Sequence, residues 1–228
     1  PLNVVLVAII AMLICAAFGT VTGIFIAYLN VPPFIATLAM MEIVYGIGLI
    51  VTNATPLGGY VEAYTNVANK KFLGINYLIW IAIIVAAITW FIFNMTRHGK
   101  YMYAIGGNPQ AAEVAGVPVK ATLILIYMKA AAMYGLAGFM LGAKAGGASV
   151  NLGYGYEMEA IAACTIGGVS VTGGRGKVSS AIIGVAVFEL LKAALQYLGV
   201  DANAQYIAIG IVIFVAISLD IRKYVAKK

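Results

Sequence analysis

Few side chains in this sequence are equipped for chemistry. Glu42, Lys129, Glu189 and Lys192 are ionisable residues set inside long apolar runs. A charge in hydrocarbon is costly, so each must face protein or water, and its options are ion pairing, ion coupling or lining a wet path. Glu189 and Lys192 stand three residues apart, on one face of a helix, where each can neutralise the other. They read either as a structural pair or as coupling groups. Lys129 either snorkels, pairs with an acid on another helix, or faces a wet cavity. Glu157 and Glu159 open a short apolar run, where acids suit the positive end of a helix better than they suit paired acid–base catalysis.

Other chemistries fail on spacing. The segment GGRGK at 173–177 invites comparison with a phosphate loop, but G-x-x-x-x-G-K-[ST] requires Gly at 171 and Ser or Thr at 178, where Val171 and Val178 stand. ATP binding of that kind is excluded. Cys15 and Cys164 lie in separate apolar segments without a spacing motif, and His98 has no ligand partners near it in sequence, so neither a disulfide framework nor a metal site is expected. No nucleophile, base and orienting residue can be assembled, and an enzyme reading has no support. The formal charge of +6 is no nucleic-acid footprint, because the basic residues sit at the ends of apolar runs.

The elements that position these residues belong in a bilayer. With 63% hydrophobic and 10% charged residues, and a mean hydropathy of +1.00, the chain has more apolar surface than one soluble core can hide. An all-α, polytopic helical bundle with about seven apolar segments is expected. Val4–Tyr28 and Phe34–Val51 form the first two crossings, separated by the turn Asn30-Val31-Pro32-Pro33. Gly19 and Gly23 make a G-x-x-x-G for close helix approach. Thr52–Asn76 reads as a polar loop. Tyr77–Met95 crosses back, with Trp80 and Trp90 as interfacial anchors rather than a sugar-stacking platform. Ala121–Ala143 follows, with Gly135, Gly138, Gly142 and Gly146 giving small-residue spacing. Lys144–Tyr156 reads as an ordered loop and Met158–Thr172 as a short apolar run. Its Gly167-Gly168 pair, with Gly173-Gly174 beyond it, indicates a half-helix plus irregular backbone, tolerated in a membrane only where buried or lining a cavity. Glu42, Lys129, Gly167, Gly168 and Glu189 are therefore the pathway candidates. Val178–Leu198 and Gln205–Ile221 complete the crossings. The opening at Pro1 runs into an apolar pattern without a signal peptide's basic start and cleavage site, and reads as a chain whose beginning lies upstream.

The longest polar interruption in the second half is Arg97–Lys120. Asn108 is a good N-cap, Pro109 suits the first helical position, and Gly116 followed by Pro118 is a stop, predicting one short helix over Pro109–Ala115. At roughly 10 Å it is too short to stand alone in water. Either the membrane domain beneath it or a partner above it must hold it. The loop carries Arg97, Lys100 and Lys120 against Glu113, and the C-terminal tail carries Arg222, Lys223, Lys227 and Lys228, so both belong in the cytoplasm with an even number of crossings between them. Charge favours a spanning 158–172 segment; its length favours a re-entrant one.

Four stretches carry a resemblance: TRHGKYMYAIGGNPQAAEVAGV, with LNVPPFIATLAMMEIVYGI upstream, NLGYGYEMEAIAACTIGGVS downstream and the ending SLDIRKYVAKK. They resemble the membrane permeases of bacterial sugar ABC importers, whose members carry ribose, xylose, arabinose and galactose, and most of all the galactose/methyl galactoside branch. The likeness runs through nearly the whole chain. It implies a multi-pass inner-membrane permease, with further membrane segments upstream, that pairs with a second copy of itself. Cytoplasmic ATP-binding subunits drive the pair and hold the ATP and magnesium, this chain binding no cofactor, and a periplasmic sugar-binding protein feeds it. The family's GGNPxAAxxxG coupling element maps here onto Gly106, Gly107, Asn108, Pro109, Ala111, Ala112, Glu113 and Gly116. Asn151, Tyr154 and Tyr156 are outer-loop candidates for contact with the binding protein, or an ordinary turn. Lys129 and Arg175 depart from the small or uncharged residues expected there. The competing readings are an ion-coupled secondary transporter or channel, in which Glu42, Lys129 and Glu189 would be the coupling groups, and a membrane scaffold without a substrate.

Overall fold

A computed structural model describes residues 3–225, and of residues 202, 219–221 and 223–225 the backbone alone. Lys227 and Lys228 of the basic tail lie outside the described residues. Among the described residues the regular structure is helical apart from one short hairpin and an isolated bridge between Leu57 and Ala148, and five helices are long and apolar enough to cross a membrane. Of the about seven apolar segments expected, five are helices of that kind; Asn203–Ser218 forms only a shorter apolar stretch and 158–172 only a short helix with irregular backbone after it. The chain divides into two compact units, 1–87 with 116–154 and 88–115 with 155–228.

In the first unit, α1 (Val4–Leu29) is capped by Asn3, whose side chain accepts from the Val5 N–H at 3.1 Å, and is stopped by Asn30 in the left-handed region. α2 (Pro33–Thr52) begins with proline at its first turn. α7 (Val119–Ala145) packs along α1, and small residues let the backbones meet. A Cβ on Gly23 would lie 2.8 Å from the Ile124 Cα, and one on Gly135 2.7 Å from the Ala11 carbonyl oxygen. The G-x-x-x-G thus does what its spacing predicts. The second glycine series does so in part: Gly135 and Gly142 are buried, Gly138 faces open space, and Gly146 is the left-handed C-cap of α7.

The polar stretch 52–76 is not merely a loop. It holds α3 (Glu62–Asn69) and the antiparallel pair β1 (Lys71–Phe72) and β2 (Ile75–Asn76). α3 docks on α7 through Tyr64, which donates to the Phe139 carbonyl at 2.7 Å and packs edge-on against the Phe139 ring. Burial, and the neighbouring Tyr60, push the Tyr64 hydroxyl above the ordinary tyrosine range, so it remains a neutral donor.

The second unit holds the end of α4 (Tyr77–Met95), α5 (Arg97–Gly107), α6 (Pro109–Val114), α8 (Tyr156–Ile166), α9 (Val178–Tyr197) and α10 (Ala202–Val225). Its core is Ala162, Ala163, Phe188 and Ile209. α8 runs antiparallel beside α9: Gly167 meets the Ser180 carbonyl, Gly184 meets Ala163, and Lys192 bonds to Glu159. The apolar run 158–172 is therefore a half-helix, as its glycines predict, because helix stops at Ile166 and residues 167–177 are irregular, with positive φ at Gly168, Gly173, Gly174 and Gly176. At about 16 Å, α8 covers roughly half of a 30 Å hydrocarbon core.

Candidate functional site

The short helix expected after Asn108 is present as α6. Its six residues form because Asn108, in extended conformation, accepts from the Ala111 N–H at 3.0 Å, and because Pro109 occupies the first turn. Gly116, at φ +83°, ends the segment. Ala112 alone is buried, at 4% exposure. Gly107, Asn108, Pro109, Ala111, Glu113 and Gly116 are exposed, and Val114 is 91% exposed. A helix this short with a bare valine and a bare glutamate is held from one side only, leaving the other side open to a partner.

What holds it is a second helix that sequence reasoning left out. Arg97–Gly107 is α5, capped by Thr96, whose hydroxyl accepts from the Gly99 N–H at 3.1 Å. A Thr-x-x-Gly start with two glycines at the end is a weak helix signal, since Gly is among the poorest helix formers. The fold needs those glycines for close approach. Gly99 packs onto the backbone of Ile92 and Phe93 in α4, and a Cβ on Gly106 would lie 2.9 Å from the Gly174 Cα. Tyr103 donates to the Gly176 carbonyl at 2.8 Å and stacks edge-on against Phe93. α5 therefore joins α6 to the glycine loop that follows the half-helix. Gly106, a coupling candidate, thus packs on Gly173 and Gly174, in the loop that follows the pathway candidates Gly167 and Gly168.

The remaining candidates separate. Glu189 lies 3.8 Å from Lys192, as the three-residue spacing predicts, but it is 61% exposed and the shorter bond of Lys192, 2.8 Å, goes to Glu159. The head-of-helix role assigned to Glu159 is thus joined by a cross-helix ion pair, invisible locally because the residues are 33 apart. Lys192 also lies 5.9 Å from the Tyr156 ring centroid. Glu42 is exposed on α2 and Lys129 half-buried on α7, and neither forms an ion pair within 4 Å among the described residues. Asn151 accepts from the Tyr45 hydroxyl at 3.2 Å, while Tyr154 and Tyr156 are exposed. No group of three His, Cys, Asp or Glu that could hold a metal ion occurs among the described residues.

The sequence pattern of a family described as branched-chain amino acid transport system / permease component matches residues 1–217. The galactose/methyl galactoside import permease protein of Haemophilus influenzae is 42% identical over 235 residues, covering 100% of this chain and 69% of that protein. Its counterpart in Escherichia coli K12 is 41% identical, covering 97% and 69%. The ribose import permease protein of the same strain is 35% identical, covering 93% and 68%. No solved structure matches the chain.

Proposed function

Because the chain belongs to the family of branched-chain amino acid transport system permease components, and is thus a multi-pass inner-membrane permease of an ATP-driven importer, we propose that its cargo is galactose or a methyl galactoside and that α6 is the part its motor grips. The cargo follows from the relatives at 41–42% identity, which are named for that sugar. Two copies of the chain form the pathway, a periplasmic sugar-binding protein delivers the cargo, and a cytoplasmic ATP-binding subunit supplies the energy. This chain carries no phosphate loop of its own.

One observation carries the coupling role: an exposed, capped helix too short to persist alone is linked by α5 to the loop that ends a half-helix. Closure of the ATP-binding subunits pushes on Glu113 and Val114. The push passes through Gly106 to Gly174 and through Tyr103 to Gly176. From there it reaches α8, whose Gly167 lies against the first turn of α9. Transporters build their substrate sites at discontinuous helices and alternate access by rocking one bundle against another around that site. The basic residues Arg97, Lys100, Arg175 and Lys177 put α5 and the glycine loop on the cytoplasmic side. α8 and the stretch after it then make one crossing together, giving the even count that the basic tail requires.

The experiment is co-purification with the ATP-binding subunit, alongside uptake of labelled galactose and ribose. Glu113→Arg together with Val114→Asp changes only exposed side chains, so the permease itself should stay folded. Loss of subunit capture and at least tenfold slower galactose uptake are expected. Unchanged capture and uptake would remove the coupling assignment, and preferred uptake of ribose would remove the cargo assignment.

A further inference from the structure

An open cleft of about 570 Å³ lies in the second unit where two membrane-length helices end. Its wall takes Asn94 from the last turn of α4, Tyr103 from α5, Arg175 and Lys177 from the glycine loop, and Ser180 from the first turn of α9. No carboxylate lines it, and neither Arg175 nor Lys177 forms an ion pair within 4 Å among the described residues. Two cations two positions apart repel one another, and nothing in the wall offsets them. Tyr103 and Asn94 are fixed by their bonds to the Gly176 and Trp90 carbonyls, both at 2.8 Å, so the shape of the wall is set before any ligand arrives. The cleft thus offers a guanidinium fork, an ammonium and a hydroxyl around a space that lacks a negative charge.

The chemistry that fits is a phosphate group, which takes a bidentate bond from arginine and a point charge from lysine. The position narrows the source. Asn94 sits at the end of one candidate span and Lys177 immediately before another, so the cleft lies where hydrocarbon gives way to headgroups, and basic pockets between membrane helices suit anionic headgroups. We infer that this cleft binds a phosphate-bearing group, the headgroup of an anionic phospholipid. The cleft shares Tyr103, Gly168, Gly174 and Gly176 with the coupling path and pathway candidates described above, while the side chains of Arg175 and Lys177, which would hold the phosphate, carry no part of that path.

The test measures lipid retention by the full chain. The chain is purified from detergent into nanodiscs containing phosphatidylcholine with labelled phosphatidylglycerol, and tightly held lipid is counted by native mass spectrometry. Wild type should retain phosphatidylglycerol over phosphatidylcholine. Arg175→Gln with Lys177→Gln should hold it about thirtyfold more weakly, as removing two basic residues from an anionic surface implies. The charge-keeping pair Arg175→Lys with Lys177→Arg should retain it. Displacement by millimolar inorganic phosphate would show that free phosphate shares the site; resistance to it would show that the lipid is held as a whole. Equal retention of the two lipids by wild type, or an unchanged preference in the glutamine variant, would overturn the inference. Should the double variant fold poorly, Arg175→Gln alone should weaken retention about fivefold, and an unchanged preference in it would overturn the inference. Sugar uptake is not read in this experiment, so its failure and the failure of the transport reading are separable.

Discussion

Lys192 reaches acids on two helices from a single position, and the unequal distances say what it does. The 2.8 Å bond to Glu159 ties the half-helix to α9, while the 3.8 Å contact with the exposed Glu189 is the looser one. A charge in the membrane left without its partner costs more than the pair contributes when intact. Lys192→Met should therefore destabilise the permease by about 1.5–3 kcal/mol, the range for a hydrogen bond to a charged group, read as a lower unfolding midpoint in detergent. Exchanging the two charges, Glu159→Lys with Lys192→Glu, should recover most of the lost midpoint, whereas Glu189→Gln should move it by under about 0.5 kcal/mol, as an exposed pair implies. Only the local half of this arrangement was legible from the chain. A three-residue spacing announces itself on any helix, but the Glu159 contact exists only once α8 is laid against α9.

Elements were legible in proportion to how far local physics decides them. α4 was readable to both of its ends, and α6 to within one residue, because apolar runs, an asparagine cap and a proline act without help from the rest of the fold. α3 and α5 were missed because neither has an apolar span or a strong propensity; the first is held by Tyr64 on α7 and the second by glycine contacts. These causes make separable predictions. Asn108→Ala removes the cap of α6 at a cost of about 1 kcal/mol, too little to unfold the chain but enough to fray a six-residue helix. ATP hydrolysed per sugar carried should rise, and Asn108→Asp, which keeps an accepting oxygen, should restore the wild-type ratio. Gly135→Leu acts elsewhere, since a Cβ there already meets the Ala11 backbone. It should force α1 and α7 apart and cost about 1–3 kcal/mol, seen as a lower unfolding midpoint with the ATP-to-sugar ratio of the surviving protein unchanged.

At the scale of the whole molecule, the exposed surface explains why the chain cannot work unaided. Large apolar side chains such as Ile50, Val51, Phe91, Leu190 and Phe214 stand exposed along its membrane helices, and only lipid or protein can cover them. Of the possible coupling ions, Glu42 and Lys129 make no ion pair within 4 Å among the described residues, and Glu189 is the weaker partner of Lys192. An ion-driven carrier needs its intramembrane charges to meet at the substrate path. A motor-driven permease needs only a connection from its grip to a helix that can move, the part proposed above for α6, α5 and the glycine loop. The two mechanisms part in proteoliposomes that hold the permease with its ATP-binding subunit and sugar-binding protein. With internal ATP held constant, collapsing the proton gradient should leave galactose uptake within about twofold of its starting rate, since no step draws on the gradient. Withdrawing ATP with the gradient intact should abolish uptake. If uptake instead followed the gradient, α6 would be a connector on the membrane surface and the intramembrane charges would be the groups to pursue.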